Sequence, residues 1–186
     1  MILIKRGWGS WHQSGRQTGR HGFTLVELLI VIAIIGVLSA LLFSNFTGAR
    51  ERARDTKRKN DLMQIKNALR LWYNDFQRYP DIGGVQSGGA GTTLKGCGTS
   101  ASFIDCDWGA TFINGSTVYM NEIPQDPIND TVNYYVYQQG NALDSTSNAF
   151  QLTTTLENLS DTDSAESQKR CGVASPQTGV YTVCSD

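Results

Sequence analysis

A single acidic residue stands inside a long apolar segment near the start of the chain. From Phe23 to Phe46 the sequence has 24 residues, and Glu27 is the only charged one. A carboxylate is costly to place in an apolar helix, so such an acid is a candidate for a functional role. A local interpretation competes with it, because Thr24 and Glu27 fit the S/T-x-x-E capping box of a helix start. The two interpretations are compatible with each other.

The apolar segment is long enough to cross a membrane as a helix. At 1.5 Å per residue, 24 residues rise about 36 Å, and the apolar core of a bilayer is about 30 Å thick. A secretory signal has a shorter apolar region and ends in small residues, for which only Ser39 and Ala40 are candidates. The segment therefore predicts a transmembrane helix over 23–46, and a plain single-pass anchor is the main alternative to a more specific role.

The entry to this segment resembles a known processing signal. The sequence "RHGFTLVELLIVIAIIGVLSALLFSNF" is similar to the class III signal of prepilins, with a basic leader that ends at Gly22, Phe23 as the first mature residue, and Glu27 at the fifth mature position. The resemblance implies that a prepilin peptidase cuts after Gly22 and methylates the new amine of Phe23. It also implies that Glu27 acts in assembly, and that the partners are other pilins and an inner-membrane assembly platform.

The charges around the segment give a mixed picture of its orientation. The leader carries Lys5, Arg6, Arg16 and Arg20, which favours a cytoplasmic N-terminus. The stretch "ARERARDTKRK" just after the segment contains six more basic residues, which would favour the cytoplasm as well. The resemblance to the prepilin signal and the presence of four cysteines favour the orientation in which the C-terminal part is exported. We expect an inner-membrane protein that becomes an extracytoplasmic filament. The charges between 50 and 61 are interpreted as a solvated face, or as partners of charges on neighbouring subunits.

Composition excludes several kinds of active site. Both histidines, His12 and His21, precede the expected cleavage point, so a mature chain has no histidine triad and no histidine metal site. No nucleophile motif and no phosphate-binding loop occurs. After residue 22, the remaining 12 basic residues face 17 acidic ones, which does not favour nucleic-acid binding. We therefore predict that the protein is not an enzyme.

Four cysteines lie in the part expected to be exported. They are Cys97, Cys106, Cys171 and Cys184, and an even number in an exported domain indicates disulfides. Of the three pairings, we favour Cys97–Cys106 and Cys171–Cys184, because each pair lies in one loop or around one strand edge. A zinc site is the weaker alternative, since no Cys-x-x-Cys spacing occurs.

The sequence divides into four segments. These are a leader (1–22), the transmembrane helix (23–46), its amphipathic continuation (47–79) and a globular loop and sheet region (80–186). Apolar residues at spacings of three and four form one stripe on the continuation, and Pro80 ends it. The glycine-rich residues 81–116 predict a long surface loop, and the polar residues 159–170 predict a mobile one.

Short alternating runs follow the predicted loop. They are Thr117–Met120, Asn133–Tyr137, Phe150–Leu156 and Val180–Cys184, and they predict a meander of three or four antiparallel strands laid on the helix. The fold class expected is thus α+β, with a long N-terminal helix packed on a small antiparallel sheet. This arrangement resembles the α/β-roll of pilins.

Two further stretches resemble the major pseudopilins of type II secretion. They are "NDFQRYP", residues 74–80, and "EIPQDPINDTVNYYVY", residues 122–137. The chain lacks the calcium loop that closes those proteins and ends with a cysteine pair, which resembles the disulfide-closed loop of type IV pilins. Calcium binding near Asp126, Asp130 or Asp144 is one interpretation. The interpretation favoured is that these acids are turn residues and that the protein has no cofactor.

The function expected from these resemblances is that of a structural subunit, a pilin of a type IV pilus-like filament. The alternative is a pseudopilin of a type II secretion or DNA-uptake system. Both use the same assembly chemistry, so the residues considered so far do not distinguish them. They also leave open whether the subunit is major or minor.

Overall fold

The structure is a computed structural model that describes residues 22–85, 92–141 and 143–185, without the side chains of residues 41–45. By its contacts the chain divides into two units, Met1–Ser44 and Asn45–Asp186, which are considered separately.

The first helix, α1, runs from Leu25 to Phe76 and therefore contributes to both units. It ends at Phe76, three residues before the predicted end at 79. Gln77 adopts a left-handed conformation with φ of 52°, while its N–H still donates to the carbonyl of Tyr73 at 2.8 Å. A residue in that conformation cannot continue a right-handed helix, so the helix stops before Pro80 is reached.

The predicted apolar stripe of α1 is buried in the second unit. Leu62, Ile65, Leu69 and Trp72 are each at most 1% exposed. Burial of each such side chain stabilises the fold by about 1.5–3 kcal/mol relative to exposure. Trp72 is the centre of an aromatic cluster, with ring centroids 4.1 to 5.5 Å from those of Phe76, Phe103, Phe112 and Tyr119. The prediction of a helix face packed on a sheet is confirmed.

Three of the predicted strands form an antiparallel meander. The strands are β6 (Tyr135–Gln139), β7 (Phe150–Thr155) and β8 (Val180–Cys184), in the order β6-β7-β8. Burial alternates along β7, with Phe150, Leu152 and Thr154 on the core face. The alternation read from the sequence is confirmed, although β6 begins two residues later than predicted.

The prediction of a long loop over 81–116 is wrong. This region contains four strands, which join β5 in a second sheet of order β1-β2-β4-β5 with β3 also paired to β2. The strands are β1 (Asp81–Val85), β2 (Thr92–Thr99), β3 (Ser102–Cys106), β4 (Phe112–Asn114) and β5 (Thr117–Met120). Leu94 and Phe112 supply its buried apolar contacts, at 1% exposure each. The predicted strand 117–120 therefore belongs to this sheet and not to the meander.

The prediction of a mobile segment over 159–170 is also wrong. Residues Thr162–Arg170 form a second helix, α2. The carboxylate of Asp161 caps it by accepting from the N–H of Asp163 at 2.9 Å. Ser167 and Gln168 are buried at 0% and 1% exposure, so polar residues hold this helix in place through hydrogen bonds. Composition alone missed it because the helix has no apolar stripe.

Candidate functional site

The N-terminal unit presents the expected processing signal at the start of α1. Gly22 and Phe23 precede the helix in non-helical backbone, and Phe23 is 88% exposed. A Cβ added to Gly22 would meet nothing within 4 Å, and Gly22 does not have a positive φ. Nothing in the described part of the chain therefore requires glycine at this position. The expected leader up to residue 21, with His12 and His21, lies outside the described residues.

Glu27 and Thr24 form a reciprocal capping box. The Glu27 carboxylate accepts from the backbone N–H and the hydroxyl of Thr24, both at 2.8 Å. The N–H of Glu27 donates in return to the Thr24 hydroxyl oxygen at 3.2 Å. One carboxylate oxygen, Oε2, accepts both bonds, which satisfies N–H groups that the first turn of a helix leaves unpaired. The local role predicted for Glu27 is thus present in the structure.

The apolar residues of the first helical turns are exposed on every face. Side chains between Phe23 and Leu38 keep about half or more of their surface uncovered, including Leu25 at 79% and Val31 at 49%. An all-round apolar helix is stable only when another apolar surface or a bilayer covers it. Within the part of the chain that the structure describes, no helix is both long enough and apolar enough to cross a membrane.

In the second unit, a buried arginine joins three carboxylates from three parts of the chain. Arg58 on α1 is 0% exposed. Its guanidinium donates to both carboxylate oxygens of Asp126, at 2.7 and 3.1 Å. It also donates to Asp55 and to Glu157, at 2.7 Å each. We call these four residues the Arg58 cluster.

The carboxylates of the Arg58 cluster have further partners. Asp55 accepts from the backbone N–H groups of Glu157 and Asn158, at 3.0 and 2.9 Å. Arg54 forms a two-pronged ion pair with Glu157. Hydrogen bonds from Arg54 lower the pKa of Glu157, against the opposing effect of burial. Burial would lower the pKa of Arg58, but its hydrogen bonds to the three carboxylates outweigh burial and raise it.

A second buried acid on α1 pairs with a tyrosine. Asp61 is 5% exposed and accepts from the hydroxyl of Tyr135 at 2.8 Å. Burial raises the pKa of Asp61, and the Tyr135 hydrogen bond opposes that rise. Burial, with the neighbouring Asp61, also raises the pKa of Tyr135. The interpretation of residues 50–61 as a solvated face is therefore wrong for Asp55, Arg58 and Asp61, which are buried inside this unit.

The acids considered for calcium have other partners in this structure. Asp126 binds Arg58 and accepts from the backbone N–H of Ile128 at 2.9 Å. Asp130 accepts from the N–H groups of Val132 and Asn133, at 2.8 and 2.7 Å. Asp144 accepts from the N–H of Thr146 at 2.8 Å. Each acid stabilises its own turn, and the described residues contain no cluster of three or more ligands suited to a metal ion.

Both disulfides join the cysteine pairs favoured from the sequence. Cys97 in β2 bonds to Cys106 at the end of β3, with a Cα–Cα distance of 5.3 Å. Cys171, which follows α2, bonds to Cys184 at the end of β8, with a Cα–Cα distance of 5.8 Å. The first bond closes a hairpin, and the second ties α2 to the last strand of the meander.

The sequence analysis missed the Arg58 cluster, although a signal for it was present. Asp55, Arg58 and Leu62 follow one another at spacings of three and four, which continue the apolar stripe of α1 toward its N-terminal side. Charged residues on the buried face of a helix must find partners inside the protein. That argument predicts buried ion pairs, but it does not identify Asp126 and Glu157 as the partners.

Comparison with known protein families identifies a match at the N-terminal part of the chain. The family described as the prokaryotic N-terminal methylation motif matches residues 18–43, which contain Gly22, Phe23 and Glu27. No solved structure matches the chain.

Proteins of known name are similar to this chain over longer stretches than the motif. The type II secretion system core protein G of Klebsiella pneumoniae is 33% identical over 109 residues, covering 58% of this chain and 69% of that protein. The protein of the same name from Pectobacterium carotovorum is 39% identical over 82 residues, covering 43% of this chain and 51% of the relative.

A pilin is among the relatives as well. The type IV major pilin protein PilA of Myxococcus xanthus is 38% identical over 61 residues, covering 33% of this chain and 28% of that protein. The chain spans about half the length of the first curated relatives it matches, between 42% and 51%. With its methylation motif, its N-terminal helix and its antiparallel sheets, the chain belongs to the family of type IV pilins and type II secretion pseudopilins.

Proposed function

We propose that this chain is a structural subunit of a type IV pilus-like filament, cut after Gly22 by a prepilin peptidase and polymerised through its N-terminal helix. The observation that carries the proposal is the exposed apolar surface between Phe23 and Leu38. In the precursor a bilayer covers this surface. A full span is inferred from the sequence, in which the apolar run 23–46 has the length for it, and the side chains of 41–45 in that run lie outside the described part of the chain. In the filament the same surfaces of neighbouring subunits cover one another.

Cleavage after Gly22 is supported by the absence of any local reason for glycine. The backbone and the space around Gly22 would accept a larger residue. The requirement for glycine then comes from the peptidase that must bind the site. Mass spectrometry of the mature protein should find an N-methylated Phe23, and Gly22→Leu should leave the uncut precursor in the membrane. A mature terminus near Ala40 would contradict the proposal and indicate an ordinary secretory signal.

Cleavage also creates the cation that Glu27 needs. The new amine at Phe23 is largely protonated at neutral pH. A charge held unpaired in an apolar setting is costly, and removing one partner of a buried pair costs about 3–5 kcal/mol. We propose that the amine of an incoming subunit pairs with Glu27 of its neighbour and sets the axial register. The leader prevents this pairing, because the uncut chain has no amine at that position.

The capping box allows a sharp test of this role, because capping and charge can be removed separately. Glu27→Gln keeps an acceptor for Thr24 and removes the charge, since glutamine also completes a capping box. Thr24→Ala weakens the cap and keeps the charge. We expect Glu27→Gln and Glu27→Ala to insert in the membrane but to yield few or no filaments, whereas Thr24→Ala yields filaments.

The measurement is electron microscopy of sheared surface filaments beside membrane fractionation of the same cells. The control is Thr24→Ser, which retains both the hydroxyl and the charge pattern. Normal filaments from Glu27→Gln with few from Thr24→Ala would refute the pairing and leave capping as the role of Glu27.

A second candidate function is a pseudopilin of a type II secretion system, with an inner-membrane platform as partner. Relatives named type II secretion system core protein G favour it. Deletion of the gene distinguishes the two. Loss of surface filaments with normal enzyme export supports the pilus, whereas enzymes retained in the periplasm with surface filaments intact support the secretion system.

A further inference from the structure

A neutral cleft lies on the outer face of the meander, the face opposite the core. It has a volume of about 300 Å³ and is bounded by β6, β7 and β8 together with α2 and the loop that follows it. A second cleft of about 430 Å³ continues it toward the loop after β6, and the two share Gln138 and Gln151. We call the two together the meander cleft.

Described side chains that line the meander cleft are neutral. Among the residues that the structure describes, neither part is lined by Asp, Glu, Lys or Arg, although the full sequence has 33 such residues. The lining is instead rich in amides and hydroxyls from adjacent strands: Gln138, Gln151, Thr153, Thr155, Gln177, Asn141 and Ser145. Such a lining lacks the charge-assisted hydrogen bonds that strengthen the binding of a carboxylate or a phosphate, so its chemistry suits a neutral ligand better.

The two glutamine side chains that both parts of the cleft share lie opposite each other and make no hydrogen bond within the described part of the chain. Gln138 and Gln151 face each other across β6 and β7 in the sheet register. Within the described part of the chain, neither side chain has a hydrogen-bond partner, and the hydroxyls of Thr153 and Thr155 have none either. Each amide offers two donors and an acceptor with two lone pairs. The cleft therefore presents a row of donors and acceptors of both kinds.

A buried hydroxyl in the same cleft is also unpaired. Thr182 lies opposite Thr153 in the register and lines the cleft, but it is only 3% exposed. Its hydroxyl has no hydrogen-bond partner among the described residues. A buried polar group without a partner costs about 1–3 kcal/mol. Because the hydroxyl itself is buried, the neighbouring side chains must shift before a ligand hydroxyl or a water can bind to it.

The wall of the cleft is held rigidly. The Gln168 amide on α2 donates to the carbonyls of Gln177 and Val180, at 2.7 and 2.8 Å. Its oxygen accepts from the N–H of Gln177 at 2.7 Å. The Cys171–Cys184 bond closes the same region covalently. A wall fixed in this way loses little conformational freedom on binding, which favours affinity for a weakly held ligand.

From this geometry we propose that the meander cleft binds a segment of a neutral polysaccharide. Sugar hydroxyls donate and accept at once, which matches a row of amides and hydroxyls, and a site built to hydrogen-bond hydroxyls selects for them. Tyr134 at the β6 side supplies an aromatic ring on which the apolar face of a sugar packs. The inference concerns the globular unit alone and does not depend on filament assembly.

Calorimetric titration of the mature full-length protein tests the proposal. The protein is kept in a zwitterionic or amine-oxide detergent, because glycoside detergents would compete for the site. The probes are maltohexaose, cellohexaose and mannohexaose, with oligogalacturonate as the charged comparison. We expect binding of at least one neutral hexasaccharide, and weaker or no binding of the charged one.

Variants then assign the binding to the cleft. Gln138→Ala with Gln151→Ala removes two amides, and we expect the dissociation constant to rise about tenfold. Thr153→Val keeps the shape of the strand and should weaken binding about threefold. Gln64→Ala with Asn67→Ala removes two exposed amides from α1 instead and should leave binding unchanged.

Three results would overturn the proposal. One is that none of the neutral hexasaccharides binds at concentrations up to about 10 mM, the range of weak affinities. Another is binding that the double glutamine variant and Thr153→Val leave unchanged while both retain the wild-type urea midpoint. The third is that oligogalacturonate binds more tightly than every neutral hexasaccharide.

Discussion

Replacing Arg58 by methionine removes the cation that contacts all three carboxylates of the Arg58 cluster. Methionine has a similar length and no charge, so the change tests electrostatics more than packing. Asp126 would keep the N–H of Ile128, and Asp55 would keep two backbone N–H groups. Both would lose their contact with the buried guanidinium.

The expected cost follows from the burial of the pair. Arg58 and Asp126 have side chains that are 0% exposed, so solvent cannot compensate for the loss. Breaking a buried ion pair by removing one partner costs about 3–5 kcal/mol. Domains of this size have a total stability of about 5–15 kcal/mol, so the variant should lose a large share of its stability. Arg52→Met, an exposed arginine on the same helix, should change stability by less than about 0.5 kcal/mol.

Urea unfolding of the mature protein in detergent micelles measures the effect. After cleavage the only tryptophans are Trp72 and Trp108, which are both buried in the second unit and report its unfolding by fluorescence. With a slope of about 2 kcal/mol per molar urea, a loss of about 4 kcal/mol lowers the midpoint by about 2 M.

A double-mutant cycle separates the pair from the rest of the cluster. Asp126→Asn alone should also destabilise, because Arg58 then loses its two-pronged partner. Arg58→Met with Asp126→Asn should be less destabilised than the sum of the two, by about 2 kcal/mol. A single Arg58→Met variant within about 1 kcal/mol of the wild type, or additive effects in the cycle, would refute the argument that the cluster is a coupled buried network.

Three further predictions concern stability, each measured by the same urea titration. Cys171→Ser with Cys184→Ser should lower the free energy of unfolding by about 3 kcal/mol through the freed loop, and an unchanged midpoint would contradict this. The Asp61→Asn variant keeps an acceptor for Tyr135 and should match or exceed the wild type at pH 7. Its advantage should vanish as the pH falls below about 4, because burial raises the Asp61 pKa and the wild-type penalty exists only where Asp61 is ionised. Gly98→Ala should cost about 1–3 kcal/mol, because φ at Gly98 is 95° and a Cβ there would lie 2.5 Å from a carbonyl oxygen of the facing hairpin strand.

Elements with a clear hydrophobic period could be predicted from the sequence. The stripe of α1 and the alternation of β7 both follow from which residues must face the core, and the structure has both. The two cysteine pairs could also be predicted, because each pair lies close together in the sequence, in one predicted loop or around one predicted strand edge.

Elements without such a period could not be predicted. Strand β1, with the sequence DIGGV, and strand β2, with two glycines, have compositions typical of loops. They become strands because β1 pairs with β2 and β2 pairs with β3 as successive antiparallel strands, and neither segment has the apolar alternation that would indicate this pairing. Helix α2 depends on the buried amide of Gln168, and the Arg58 cluster depends on residues 68 and 99 positions away. A local pattern has no information about partners at that distance.

The bond between Cys171 and Cys184 has a mechanical consequence for the last strand. Strand β8 is at the edge of its sheet, where a pulling force could open its hydrogen bonds to β7 one at a time. A force that arrives from the C-terminal side of Cys184 reaches the disulfide first and passes to α2 through a covalent bond. Peeling of β8 then requires α2 to move with it. An exopeptidase that trims from the same side meets the same obstacle, so we expect the meander to keep its shape under shear and digestion.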